Sequence, residues 1–310
     1  MLSFAKRKPS GWTAVCLYPG RVDVARVRFG ADKPVLEKFE SFERGGDDGA
    51  TLKCLSRILG LDHQFCTTLL PAGAYQFLQT EAPDVPKDEM REVLRWQIKD
   101  MVDFPVDQAT LDMLEIPMPP SSAARHMVYV AVSRNDVLTP LIRDFYDSGA
   151  RLAAIDVPEM AQRNLAALWE TGDRGLALLS FDENGGLLTF TAKGELYMAR
   201  RVEVGLRQLE EADDIRREQL LERVGLELQR SLDNFDRQFS FIPVNRLALT
   251  AGPVSTVLKQ FLGDYLGMPV EVVSLDSVLD ISAVPGLEDP HRQAQCLATL
   301  GAALRQGDAA

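Results

Sequence analysis

The chain has 310 residues, 46% of them hydrophobic and 25% charged, and a formal net charge of −11. That length suggests about two domains with a sizeable core, and the acidic balance without any long basic run argues against a nucleic-acid partner, which would need a basic face. No apolar run approaches the ~18 residues of a membrane span, and the N-terminal MLSFAKRKPSGW lacks a signal-peptide core, so a cytoplasmic protein is expected. Lys6-Arg7-Lys8 is a candidate for contact with an anionic lipid surface, against the plainer reading of a solvated basic start.

The first half opens with a strand over 13–17, a Pro19-Gly20 turn, an alternating strand over 22–29, a second turn and a strand over 35–42. A loop (Arg44 to Gly49) precedes a helix over 51–59 with Leu52, Leu55 and Leu59 at helical spacing, which Gly60 stops. A strand over 64–70 follows. Pro86 with Asp88 and Glu89 marks a helix start. Met90, Val93, Leu94, Ile98 and Met101 give that helix one apolar face, Trp96 lies off it, and the helix ends near Phe104-Pro105. Strands over 110–116 and 127–132, separated by a loop over 117–122, lead to a helix from Asn135 that Gly149 stops. Residues 71–148 thus read as an inserted helix-strand-strand-helix subdomain. A short strand (153–155) and a helix from about Asp156 to Gly172 complete this half.

The second half repeats the opening. Leu176 to Phe181, Leu187 to Thr191 and Leu196 to Val204 are strands joined by Asp182-Glu183-Asn184-Gly185 and Lys193-Gly194, both turn chemistry. A long charged helical region over 206–241 follows, then a strand (244–250), a helix (254–262), a strand (270–273) and a final nearly uncharged helix (293–304). Two strand-turn-strand-turn-strand openings predict an internal duplication of architecture. This resembles the α/β actin-like (ribonuclease H-like) fold, in which the turn after the first strand of each half holds nucleotide phosphates. The expected division is 11–70 with 149–172, the insert 71–148, and 173–305.

The four cysteines, Cys16, Cys54, Cys66 and Cys296, form no C-x-x-C pair, so reduced thiols are expected. Cys54, His63 and Cys66 lack a nearby fourth ligand, so no metal site is expected. His126 and His291 have no nucleophile context that the sequence displays.

Six segments carry a resemblance to the PilM-like group of type IV pilus assembly proteins, relatives of FtsA. They are RWQIKDMVDFPVDQATLDML at 95–114, VYVAVSRNDVL at 128–138, SGARLAAIDVPEMAQRNL at 148–165, LELQRSLDNFDRQF at 226–239, LALTAGPVSTVLKQFL at 247–262 and LATLGAALR at 297–305. The resemblance runs from Trp12 to Arg305. It implies a scaffold under the inner membrane that holds the N-terminal cytoplasmic tail of a bitopic, PilN-like partner in a groove formed with the insert. Trp96, Met101 and Phe104 are the candidate anchors for that tail.

The resemblance also marks where the nucleotide site is degenerate. Positions that in ATP-binding relatives carry Asp, Gly and Lys are here Cys16, Tyr18 and Asp23, and the second loop has Ser180 and Asp182. Tyr18 would put a ring where a phosphate approaches, and Asp23 would add like charge beside it. Asp182 is the one candidate acid, and Gly252 and Gly301 survive. A helix start that needs conformational freedom (Gly252) and close helix packing (Gly301) are the plainer readings of those glycines. ATP and Mg²⁺ are therefore disfavoured as cofactors, and a non-catalytic scaffold is expected. An active actin-like ATPase or sugar-kinase-like phosphotransferase is the alternative; an unrelated α/β protein without duplicated halves is a third.

Overall fold

A computed structural model of the chain describes residues 11–30, 32–119, 126–183 and 185–306. Lys6-Arg7-Lys8, much of the loop after Pro117 and Asn184 lie outside the described residues. No helix among the described residues is long and apolar enough to cross a membrane.

Both predicted meanders form. The first is β1 (Trp12–Tyr18), β2 (Arg21–Arg28) and β3 (Val35–Glu43), followed by α1 (Asp48–Leu59) and β4 (Cys66–Leu69). Then come β5 (Gln76–Glu81), α2 (Lys87–Gln97), β6 (Ala109–Glu115), β7 (Met127–Arg134), α3 (Asn135–Ser148), β8 (Leu152–Asp156) and α4 (Pro158–Trp169). The second meander is β9 (Leu176–Phe181), β10 (Gly186–Ala192) and β11 (Glu195–Val202). After it stand α5 (Leu206–Glu211), α6 (Asp214–Gln238), β12 (Leu247–Thr250), α7 (Ser255–Leu266), β13 (Val270–Val273) and α8 (Pro290–Ala303).

Two five-stranded sheets share one strand order, β3-β2-β1-β4-β8 and β11-β10-β9-β12-β13. In each, a three-strand meander supplies one side and two later strands extend the other. In the second sheet, β9-β10 and β10-β11 pair antiparallel, whereas β9-β12 and β12-β13 pair parallel. The same β-sheet plan built twice from unlike residues is the duplication that the meanders announce.

By its contacts the chain forms two compact units. Of the described residues, one comprises 11–15, Asp23–Ser41 and 158–306; the other comprises Cys16–Val22 and Phe42–Val157. In the first unit β9 and β10 are buried along their whole length, which fits their largely apolar sequences, broken only by Ser180, Thr189 and Thr191. Phe235 of α6 stacks on Phe190 of β10 with ring centroids 4.4 Å apart. The β10–β11 turn places Lys193 and Gly194 at φ 55° and 75°, the left-handed pair that a two-residue hairpin needs.

The second unit contains the insert. Its sheet has the order β5-β7-β6, so the structure corrects the helix-strand-strand-helix reading by adding β5. In Gln76-Phe77-Leu78-Gln79, Phe77 stacks on Tyr129 at 4.5 Å, while Leu78 joins the cluster of Met90, Leu94, Ile98, Val128, Val130 and Val132. Neighbouring residues are both covered, and the polar-apolar alternation of a half-buried strand is lost.

Three boundaries also move. Helix α2 ends at Gln97, not near Phe104-Pro105, because the chain tightens into Lys99-to-Trp96 and Met101-to-Ile98 backbone bonds. Arg95 there donates to the carbonyls of Val106 and Ala109, which fastens the end of α2 to β6. The region 206–241 is two helices. Ala212 is extended, and the Asp213 carboxylate caps α6 by accepting from the Arg216 amide at 2.8 Å. Helix α8 starts earlier than predicted, at Pro290, behind an Asp289 cap.

Candidate functional site

The positions proposed for phosphate recognition fall in five places: on β1, on β2, at the β9–β10 loop, before α7 and on α8. Cys16 is buried in β1. At the end of that strand the Arg21 guanidinium lies over the Tyr18 ring, 4.7 Å from its centroid. Arg44 closes the adjoining Pro19-Gly20 turn. Its Nη1 donates to the Tyr18 carbonyl at 3.0 Å, its backbone amide donates to the Gly20 carbonyl at 3.0 Å, and its guanidinium forks onto both oxygens of Asp48 at 2.7 Å. The hydrogen bonds to Asp48 hold the Arg44 guanidinium charged, above its ordinary value.

Asp23 differs from the sequence expectation in its setting. It is fully buried in β2, and its Oδ1 accepts a 2.7 Å bond from the Ser41 hydroxyl on β3. The carboxylate is committed inside the sheet, where burial makes that hydrogen bond costly to break. The repulsion argued for it assumed a side chain presented outward.

The β9–β10 loop is closed by its own backbone and side chain. Asp182 Oδ1 accepts from the Gly185 amide at 3.0 Å, the Asp182 amide donates to the Gly185 carbonyl at 2.9 Å, and the Asp182 carbonyl accepts from Leu206. A Cβ on Gly185 would lie 2.7 Å from the Val202 carbonyl oxygen, and one on Gly186 would lie 2.9 Å from the Phe181 ring. Hairpin packing therefore accounts for both glycines. Behind the loop, Ser180 donates to Gln162 Oε1 at 2.5 Å, and Gln162 Nε2 donates to the carbonyls of Leu178 and Leu187. Glu159, almost fully buried, pairs with Arg201 at 3.0 Å. The cavity among Ser180, Asp182, Gln162 and Arg201 measures about 40 Å³, room for about two or three waters.

The two surviving glycines separate. Gly301 lies where α8 meets α4, and a Cβ there would stand 2.2 Å from the Ala161 carbonyl oxygen. The Gly301 carbonyl also accepts from Asn164 Nδ2 at 2.9 Å. Gly252 precedes α7, and its carbonyl accepts from the Ser255 amide and hydroxyl. Its φ is not positive, and a Cβ would meet only Ala294 Cβ at an ordinary 3.6 Å. The expected conformational freedom is not used at Gly252. Phe181 lines both the cavity beside Asp182 and a smaller one of about 10 Å³ beside Gly252.

On the insert, Trp96 is 59% exposed on α2, with its indole N–H donating to Glu92 at 3.1 Å. Met101 is 44% exposed beyond the end of the helix, not on its buried face. Phe104 packs against the α2 cluster. Gln97 donates to the Thr80 hydroxyl and the Glu81 carbonyl, tying α2 to β5. The sequence reading missed the residues around the end of β5. Pro71 and Gly73 before that strand and Pro83 after it were the available boundary signals.

No protein-family model and no curated protein matches the sequence. Among solved structures, a chain of a PilM-PilN type IV pilus biogenesis complex is similar, with a TM-score of 0.71, 19% identity, and coverage of 96% of this chain and 98% of that one. The cytoplasmic domain of EpsL, an inner-membrane component of the type II secretion system of Vibrio cholerae, is similar with a TM-score of 0.50 and 12% identity, over 96% and 97% of the two chains. The chain has the actin-like fold. The likeness to the PilM-PilN chain extends over nearly the whole of both chains.

Proposed function

We propose that this chain is a non-catalytic scaffold of a type IV pilus inner-membrane assembly platform, peripheral to the membrane on its cytoplasmic side. It binds there the N-terminal cytoplasmic tail of a bitopic, PilN-like protein. The observation that carries this reading is the end-to-end likeness to a chain of the PilM-PilN complex. The likeness to the EpsL cytoplasmic domain supports an inner-membrane setting. The six segments quoted above resemble the MSHA pilus biogenesis protein MshI, and the proposal places the chain in a pilus system of that type.

The insert is the docking element of this reading, with Trp96 and Met101 as exposed anchors and Phe104 as their support. A large aromatic side chain in contact typically contributes more than about 1–2 kcal/mol to an interface. Trp96→Ala combined with Met101→Ala therefore lowers recruitment to membranes that contain the partner by roughly tenfold or more, with the melting temperature unchanged. Recruitment equal to wild type would remove these anchors from the proposal.

The pseudo-enzyme part of the reading is supported by self-closure of the loops, through Arg44 at the first turn and the Asp182-Gly185 bonds at the second. One observation favours the ATPase or phosphotransferase alternative: nothing in the packing requires glycine at 252. Calorimetry with ATP and Mg²⁺ decides between them. A dissociation constant near 1 μM, about −8 kcal/mol, would favour the enzyme, and the scaffold reading expects no binding heat at millimolar nucleotide.

A further inference from the structure

We draw no further inference here: the strongest candidate, the surface patch of exposed apolar side chains along α7 and the adjoining face of α6, with Val257, Tyr265 and Leu226, carries no docking proposal because nothing in the structure shows what covers it.

Discussion

Gly301→Ala is the sharpest test of how the first unit is packed. The added Cβ would lie 2.2 Å from the Ala161 carbonyl oxygen and 2.6 Å from its carbonyl carbon, where ordinary contacts begin near 3.4 Å. The obstacle is helix backbone, so relief requires α8 and α4 to separate by more than about 1 Å rather than a side chain to turn away. That separation strains the Asn164 bond to the Gly301 carbonyl and opens contacts around Ala161, Leu165 and Leu300, all fully buried. Overpacking of this kind costs about 1–3 kcal/mol, and backbone-on-backbone crowding belongs at the upper end. At about 2–4 °C per kcal/mol for a unit of this size, the melting temperature falls by roughly 5–10 °C. Gly263→Ala is the matched control, since a Cβ there meets nothing within 4 Å inside α7, and alanine in an open helix interior stabilises by about 0.5–1 kcal/mol. Thermal unfolding followed by circular dichroism measures both. A Gly301→Ala variant that melts within a degree of wild type would refute the close helix contact.

Gly252→Ala has the opposite sign to Gly301→Ala: with an ordinary 3.6 Å contact and no positive φ, it raises stability by up to about 1 kcal/mol through the unfolded chain, and a loss above 2 kcal/mol would contradict the geometry. Burial, then the neighbouring Asp48, Asp47 and Asp147, push the Asp144 carboxyl above its ordinary range. The folded state therefore binds this proton more tightly than the unfolded state, and stability attributable to it falls as pH rises from the ordinary carboxylate value through the raised one. Asp144→Asn accordingly stabilises the chain at neutral pH and loses that advantage below the ordinary range; an advantage that grows on acidification would reverse the assignment. Of the four cysteines, Cys54 is exposed and the other three are buried, with the Cys66 thiol pushed up to about 12 by burial, so a thiol reagent at neutral pH labels Cys54 promptly and the others only on unfolding.

The repeated fold was legible because its signals are local. Hairpin turns announce themselves in two or three residues, and the doubled meander follows from where those turns stand. The same locality explains the misses. Strand β5 has Phe77 and Leu78 covered on opposite faces, so no face-by-face alternation survives in the sequence. The early end of α2 depends on Arg95 reaching carbonyls eleven and fourteen residues later, a contact that no window of helix propensity contains. For the site, residue identity was readable and residue commitment was not. Asp23 and Asp182 look in sequence like charges on offer, and the structure has them bonded to Ser41 and Gly185.

That commitment bears on how a fold associated with nucleotide turnover can serve as a scaffold. A phosphate-binding turn must keep backbone amides and a cation site open, which leaves polar groups to be satisfied by the ligand. Here the chain supplies its own partners. Arg44 takes the carbonyls of the first turn, and the Asp182 carboxylate folds back on its own loop. On the proposed reading, these internal bonds hold the turns in one conformation without a ligand, so the fold offers a fixed platform at every stage of an energy cycle run elsewhere. On that reading the docking role falls to the insert, where Trp96 and Met101 are exposed. On the same reading, loops closed on themselves and side chains left exposed on the insert are the physical form of a fold used for docking.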